Sequence, residues 1–260
     1  MIMNDLRGIP AMFNFQIRLA EICIGISVAY RQSEERCEDY LCSDGEPAFC
    51  VEITQEDLEK EEKYYKKRNG TVLSGRQWIL EDSALYRKIA GNMIDYSRIL
   101  IHGSALSIDG SGYLFIAPSG TGKSTHSALW RKVFGERVVM VNDDKPLVRV
   151  ENGEIVIYGT PWNGKHGLGS NICVPLKGIC RVYRAEENRI EKVDKDEAMA
   201  RLLEQTYRSE EPYRVAKTLG MLKEMIDHVP VYALYCNMEE DAALTAYEGM
   251  TKGKQYEVEE

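Results

Sequence analysis

The sequence predicts an α/β protein in which a mixed, largely antiparallel sheet with flanking helices is built around a phosphate-binding loop. Three observations carry this. From residue 99 onward short apolar strands alternate with helical patterns, and two strand pairs are joined by the hairpin dipeptides Asp109-Gly110 and Asn152-Gly153. The run Gly112-Tyr113-Leu114-Phe115-Ile116-Ala117-Pro118-Ser119-Gly120-Thr121-Gly122-Lys123-Ser124-Thr125 reads as a buried strand, a small-residue turn, then a lysine and two hydroxyls opening a helix. Val138–Val141 is a short apolar strand that ends in Asn142-Asp143-Asp144.

Taken in order, Phe13, Phe15, Ile17 and Leu19 alternate with polar residues, and Ile22, Ile24, Ile26 and Val28 with small ones, the period of strands with one buried face. Residues 31–47 are polar and turn at Ser43-Asp44-Gly45. Phe49–Ile53 is a further short strand. Thr54 with Glu56 and Asp57 marks a helix start, and Asn69-Gly70 a turn after a mostly charged, solvated run. Apolar residues at 85, 89, 93 and 94 predict a helix over Glu81–Tyr96. Ile99–Ile101 leads through His102 into Ala105–Ile108, read as one continuing strand that hairpins back through Tyr113–Ile116. The helix after Lys123 stops near Phe134 at Gly135. Strands follow at Leu147–Val150 and Ile155–Tyr158, then a second glycine-rich loop over residues 159–171. Strands at Ile172–Val174 and Gly178–Tyr183, helices at Asp194–Tyr207 and Arg214–His228, and a last strand at Tyr232–Cys236 complete the pattern, with 251–260 a polar tail. The division expected is a β-rich N-terminal lobe, 1–80, packing onto or extending the core sheet of a loop-bearing domain, 81–260.

The 260 residues are 44% hydrophobic and 28% charged, ordinary for a globular protein. The net charge of -8 argues against a dedicated nucleic-acid binder, which carries a basic field. Met1–Pro10 shows no signal peptide, and Leu19–Tyr30 is too short to span a bilayer, so a cytoplasmic protein without membrane attachment is expected. Seven cysteines without a Cys-x-x-Cys pair read as reduced thiols.

In the loop, the backbone N–H groups of Ser119, Gly120, Thr121, Gly122, Lys123, Ser124 and Thr125 suit phosphate oxygens at a helix N-terminus. Lys123 reaches the β/γ-phosphates of a nucleotide, and the Ser124 hydroxyl suits Mg²⁺. Ala117 stands where the strict motif has its first glycine. Acids at the carboxyl end of the next strand, Asp143 and Asp144, suit Mg²⁺ or a proton from an attacking hydroxyl. His102 belongs near the same site. In the second loop Lys165 either supplies positive charge to a transferred phosphoryl group or is a solvent lysine, and Trp162 either stacks on substrate or packs in the core.

His102-Gly103-Ser104-Ala105, Gly110–Phe115, Ser119-Gly120-Thr121-Gly122-Lys123-Ser124 and Val138–Asp144 together resemble the catalytic domain of HPr kinase/phosphorylase, and the loop core also resembles ATP-dependent phosphoenolpyruvate carboxykinase. The resemblance covers roughly residues 99–180. It implies that family's P-loop kinase core, with ATP and Mg²⁺ as cofactors, Lys123 on the phosphates, Ser124 and Asp143 at the metal, Asp144 as general base, and His102 as a group beside it or toward the acceptor. The implied reaction moves the γ-phosphate to a hydroxyl, on a protein or peptide serine or on a small hydroxylated metabolite. Alternatively, the protein senses a nucleotide or pyrophosphate without transfer. A homo-oligomer is also implied. Where the family carries Glu-x-Arg-Gly-Leu-Gly, this chain has Gly164-Lys165-His166-Gly167-Leu168-Gly169, so the acid is missing and Trp162, Lys165 and His166 take its neighbourhood.

Overall fold

The computed structural model describes residues 12–73 and 75–252. The stretch Met1–Pro10, for which no signal peptide is expected, lies outside these residues, as do positions 253–260 of the polar tail. The chain divides into two compact units, Met1–Ile89 and Ala90–Glu260. Among the described residues no helix is long and apolar enough to cross a membrane.

In the first unit the alternating runs form strands β1 (Phe13–Leu19) and β2 (Ile22–Val28), an antiparallel hairpin, with β3 (Phe49–Glu52) parallel to β2. These three strands make a sheet of their own. Between β2 and β3, the segment that reads as a polar loop contains a short helix, α1 (Arg31–Arg36). Its cause is one buried carboxylate. Glu81, fully buried, accepts from the backbone N–H of Ala29 (2.6 Å) and Tyr30 (3.1 Å) and from the Ser33 hydroxyl (2.7 Å). Helix α2 (Gln55–Asn69) begins as its sequence indicates, with Thr54 and Asp57 in a reciprocal capping box, and ends at Gly70 with φ 72°. Helix α3 (Gln77–Met93) starts at Gln77 rather than Glu81, because Glu81 is the acceptor just described and not a helix-opening acid.

The second unit is a nine-stranded sheet. Its strands are β4 (Arg98–Leu100), β5 (Ser104–Ile108), β6 (Ser111–Ile116), β7 (Val138–Asn142), β8 (Leu147–Glu151), β9 (Glu154–Tyr158), β10 (Cys173–Arg184), β11 (Arg189–Lys192) and β12 (Val231–Cys236). They pair in the order β4-β8-β9-β10-β6-β5-β7, with β12 joining β10 to β11. The pairings of β10 with β6 and with β12 are parallel, and the others in this sheet are antiparallel. Both hairpin dipeptides adopt the left-handed backbone their turns need, with φ 51° and 77° at Asp109-Gly110 and 52° and 78° at Asn152-Gly153.

Helices cover both faces. Leu114 and Ile116 of β6 pack in one core with α5 (Lys195–Gln205) and α6 (Pro212–His228). Tyr113 and Phe115 pack in the other with α4 (Lys123–Phe134) and α7 (Asp241–Lys252). Burial on both sides is why β6 reads as a continuous apolar run. Trp130, fully buried, centres the second core, with ring centroids 5.4 Å from Phe115, 5.2 Å from Phe134 and 5.8 Å from Tyr247.

Three expectations change. The strand through His102 is two strands: β4 pairs with β8 while β5 pairs with β6 and β7, and the chain crosses between them at Ile101–Gly103. The crossing curls the sheet so that the N–H of Gly103 donates to the carbonyl of Asp144 (3.0 Å). A side chain at Gly103 would force the backbone to shift, because its Cβ would lie 2.9 Å from the carbonyl oxygen of Phe115. The two expected strands near 172–183 are a single β10, whose register shifts between Leu176 and Gly178 as it passes from antiparallel β9 to parallel β6. β11 and α7 add an edge and a covering helix where no element is expected.

Candidate functional site

Parallel strands feed their ligands at their carboxyl ends, and there β6 ends in the loop. Ala117 is fully buried and is not among the residues with positive φ, so the missing glycine costs the loop nothing at that position. The left-handed conformations fall instead on Gly120 (φ 80°) and Gly122 (φ 129°). Helix α4 opens without a side-chain cap on Gly122, leaving its first-turn N–H groups for an anion. Its second turn is pinned to β5 by the Ser127 hydroxyl, 2.7 Å from that of Ser104. Its first turn is tied to the next by His126, whose Nε2 accepts from the Trp130 indole (3.0 Å).

Lys123 is buried, and its ammonium folds back onto the carbonyl of Ala117 (2.7 Å). Burial pushes that ammonium below its usual range; Asp144 works in the opposite direction, and Arg181 adds to the lowering. The loop is braced from the outer side by Arg184, which donates through Nε to Thr121 O (2.9 Å) and through Nη2 to Gly120 O (2.5 Å).

The acids are held by Asn142, which is fully buried. Its Oδ1 accepts from the N–H groups of Asp144 (2.8 Å) and Lys145 (2.6 Å), the geometry of an Asx turn. Its Nδ2 donates to Thr160 O and Oγ1 (both 3.1 Å) and to Asn163 Oδ1 (2.9 Å). The acid pair and the second glycine loop are therefore one assembly. Within it, Asp143 Oδ1 accepts from Gly164 N–H (2.5 Å), while its buried Oδ2 has no hydrogen-bond partner. Asp144 Oδ1 lies 3.3 Å from His102 Nε2, and its Oδ2 contacts the Lys145 ammonium. Burial favours the neutral acid, but the His102 hydrogen bond and the Lys145 charge outweigh it and hold the Asp144 carboxyl down to about 2.

His102, Asp144 and Lys123 thus stand in one electrostatic neighbourhood, with Asp143 facing the second loop beside them. Ser119, Gly120, Ser124 and Thr125 are exposed, and Thr121 and Gly122 half-buried, around the loop's mouth. Lys165 and His166 are exposed, whereas Trp162 is 3% exposed and packs inward, presenting no ring face to a substrate. The second loop reaches the acids through Asn163 and Gly164, and two of its glycines are steric: a Cβ on Gly159 would lie 1.9 Å from Ser170 O and one on Gly169 2.1 Å from Asn163 Oδ1. Sequence reasoning passes over Asn142, Lys145, Asn163 and Arg184. Of these, the asparagine directly before an acid pair and Lys-Pro carries a local turn signal.

The residues fit a divalent cation in a limited sense. The unpartnered Asp143 Oδ2 is a ready oxygen ligand, and Mg²⁺ commonly takes one or two carboxylates and completes its shell with phosphates and water. No cluster of three His, Cys, Asp or Glu side chains occurs among the described residues.

No family model and no curated protein matches the chain. Among solved structures it is similar to the Hpr(Ser) kinase/phosphatase from Coxiella burnetii, with 15% identity over 60% of this chain and 95% of that one and a TM-score of 0.34. At that distance the likeness carries no argument, and the chemistry has to be read from the residues.

Proposed function

We propose that the protein is an ATP- and Mg²⁺-dependent kinase that transfers the γ-phosphate to a hydroxyl. One observation carries the reading: the lysine that opens α4 after β6 and the depressed, hydrogen-bonded aspartate in the turn after β7 lie close enough for their charges to interact. The phosphates lie on the N–H groups of residues 119–125, and the Lys123 ammonium exchanges its carbonyl partner for a phosphate oxygen. Ser124 and Asp143 would hold Mg²⁺, which when bound would supply positive charge to the phosphates.

The acceptor hydroxyl donates to Asp144. Its oxygen bonds to the γ-phosphorus as the bond to the β–γ bridging oxygen breaks, and that electron pair leaves with ADP. A carboxylate near 2 is a good hydrogen-bond acceptor and a weak base. It orients the hydroxyl and takes the proton late, once the new bond has acidified it, as a loose transition state allows. His102 and Lys145 hold that carboxylate in place. The acceptor is a protein or peptide serine, with a small hydroxylated metabolite as the alternative, and this part follows from the motif resemblance alone.

Incubation of γ-labelled ATP and a cell extract with the wild type, Lys123→Ala and Asp144→Asn tests the reading. Label should appear on an acceptor with the wild type only, and Asp144→Asn should slow transfer by about 10²–10⁴. A loss within about threefold would remove Asp144 from the proton's path. A wild type that binds ATP but labels nothing would instead be a nucleotide sensor.

A further inference from the structure

Beside the loop lies an open pocket of about 370 Å³ lined by Ser119, Gly120, Thr121, Tyr183 and Arg184. It is near the small end of ligand pockets, ~300–1,000 Å³. Its Tyr183 and Arg184 walls take no direct part in the proposed phosphate chemistry. Its walls are unusually fixed. Arg184 spends two donors on the carbonyls of Gly120 and Thr121, which locks the guanidinium plane at the pocket's mouth. Among the described residues no aromatic ring lies over that plane.

Tyr183 is fixed equally firmly. Its ring stacks on Tyr235 (centroids 5.0 Å, planes 17° apart), set by the direct pairing of the two residues across β10 and β12. The guanidiniums of Arg201 and Arg181 lie 5.0 and 5.6 Å from the same ring. The tyrosine is therefore a wall of the pocket, with its own stacking capacity already taken by these neighbours. Arg184 retains a bare, planar, cationic face, a surface suited to the π-face of a heteroaromatic ring. A chain of phosphates on the N–H side of residues 119–123 would emerge past Gly120 and Thr121 directly into this space.

We propose that this pocket receives the nucleoside of the bound nucleoside triphosphate, with the base stacked on the Arg184 guanidinium and Tyr183 closing one side. The assignment rests on the loop's holding a triphosphate. It gives Arg184 two tasks on one side chain: bracing the loop and holding the base.

Titration of the full-length protein with Mg·ATP and, separately, with Mg·tripolyphosphate tests the two tasks apart. Wild type should bind ATP more tightly than tripolyphosphate. Arg184→Ala should weaken ATP by about tenfold, the scale of one lost base stack, and tripolyphosphate by less than about threefold. Arg184→Lys keeps the charge without the plane and should lose ATP affinity similarly. Tyr183→Leu should widen the wall and weaken ATP selectively. Equal losses for both ligands would make Arg184 a loop brace only, and no loss for either would empty the pocket of any role; both outcomes overturn the proposal while leaving the assignment of the loop to phosphate standing. A wild type that binds neither ligand would refute the phosphate reading itself and this proposal with it. Unchanged melting temperatures separate these results from misfolding.

Discussion

At the scale of single residues, burial sets the charge of one group and neighbouring charges set that of another. His126 is 2% exposed on the buried side of α4, its Nδ1 has no hydrogen-bond partner, and burial holds its ring neutral, with a pKa pushed down to about 3. The unfolded chain takes up that proton near 6.5, so stability is intact above that pH and falls as pH drops toward 3. Between 6.5 and 5 the loss should reach about 2 kcal/mol, measured by urea unfolding at each pH. His126→Gln keeps an acceptor for Trp130 without a titrating group, and its curve should be flatter over that interval. An equally steep curve would place the acid sensitivity elsewhere. Asp144 acts in a separate window. Its folded value of about 2 lies below the usual 3.8, so its contribution, on the order of 2 kcal/mol, is present above 3.8 and is lost as pH falls through 2.

At the scale of elements, the turn after β7 is the part of the site most sensitive to substitution. Asn142→Asp preserves shape but turns the Nδ2 donor into an acceptor facing Thr160 O, Thr160 Oγ1 and Asn163 Oδ1. The cost should be about 3 kcal/mol or more in unfolding free energy, with transfer activity lost at the same time. A change below about 1 kcal/mol would show that the turn does not depend on that donor. This element also shows what a sequence can and cannot disclose. The loop at 119–125, the capping threonine at Thr54 and the hairpin at Asn152-Gly153 are legible because their partners lie within a few residues. The Glu81 acceptor that closes α1, the Arg184 brace and the Asn142 hub are not, because each acts on atoms distant in the chain. Local pattern likewise runs Ile99–Ile108 together as one strand, since apolar residues continue across a crossing that only the pairing of β4 and β5 with different partners reveals. Trp162 shows the same limit: its residue type suits a substrate platform and a core equally, and packing decides for the core.

At the scale of the whole molecule, β10 organises the loop-bearing unit. It pairs antiparallel with β9 through Cys173–Pro175, then parallel with β6 through Leu176–Arg181 and with β12 through Ile179–Arg184. The phosphate loop is thus the end of a strand whose second partner arrives much later in the chain. A fragment ending at Ser170 holds the entire loop motif and the acid pair but lacks β10 and Arg184, and it should show no ATP binding by titration. Binding comparable to the full chain would mean that the hairpin of β5 and β6 suffices to shape the loop. The order of synthesis gives the same dependence a time. At ribosomal rates of 5–20 residues per second, roughly 3–14 s separate the appearance of Ile116 from that of Arg184. Throughout that interval β6 presents an unpaired apolar edge, the kind of surface that invites pairing with another chain. The nascent protein is therefore most in need of chaperone protection while its nucleotide loop is already written but not yet built.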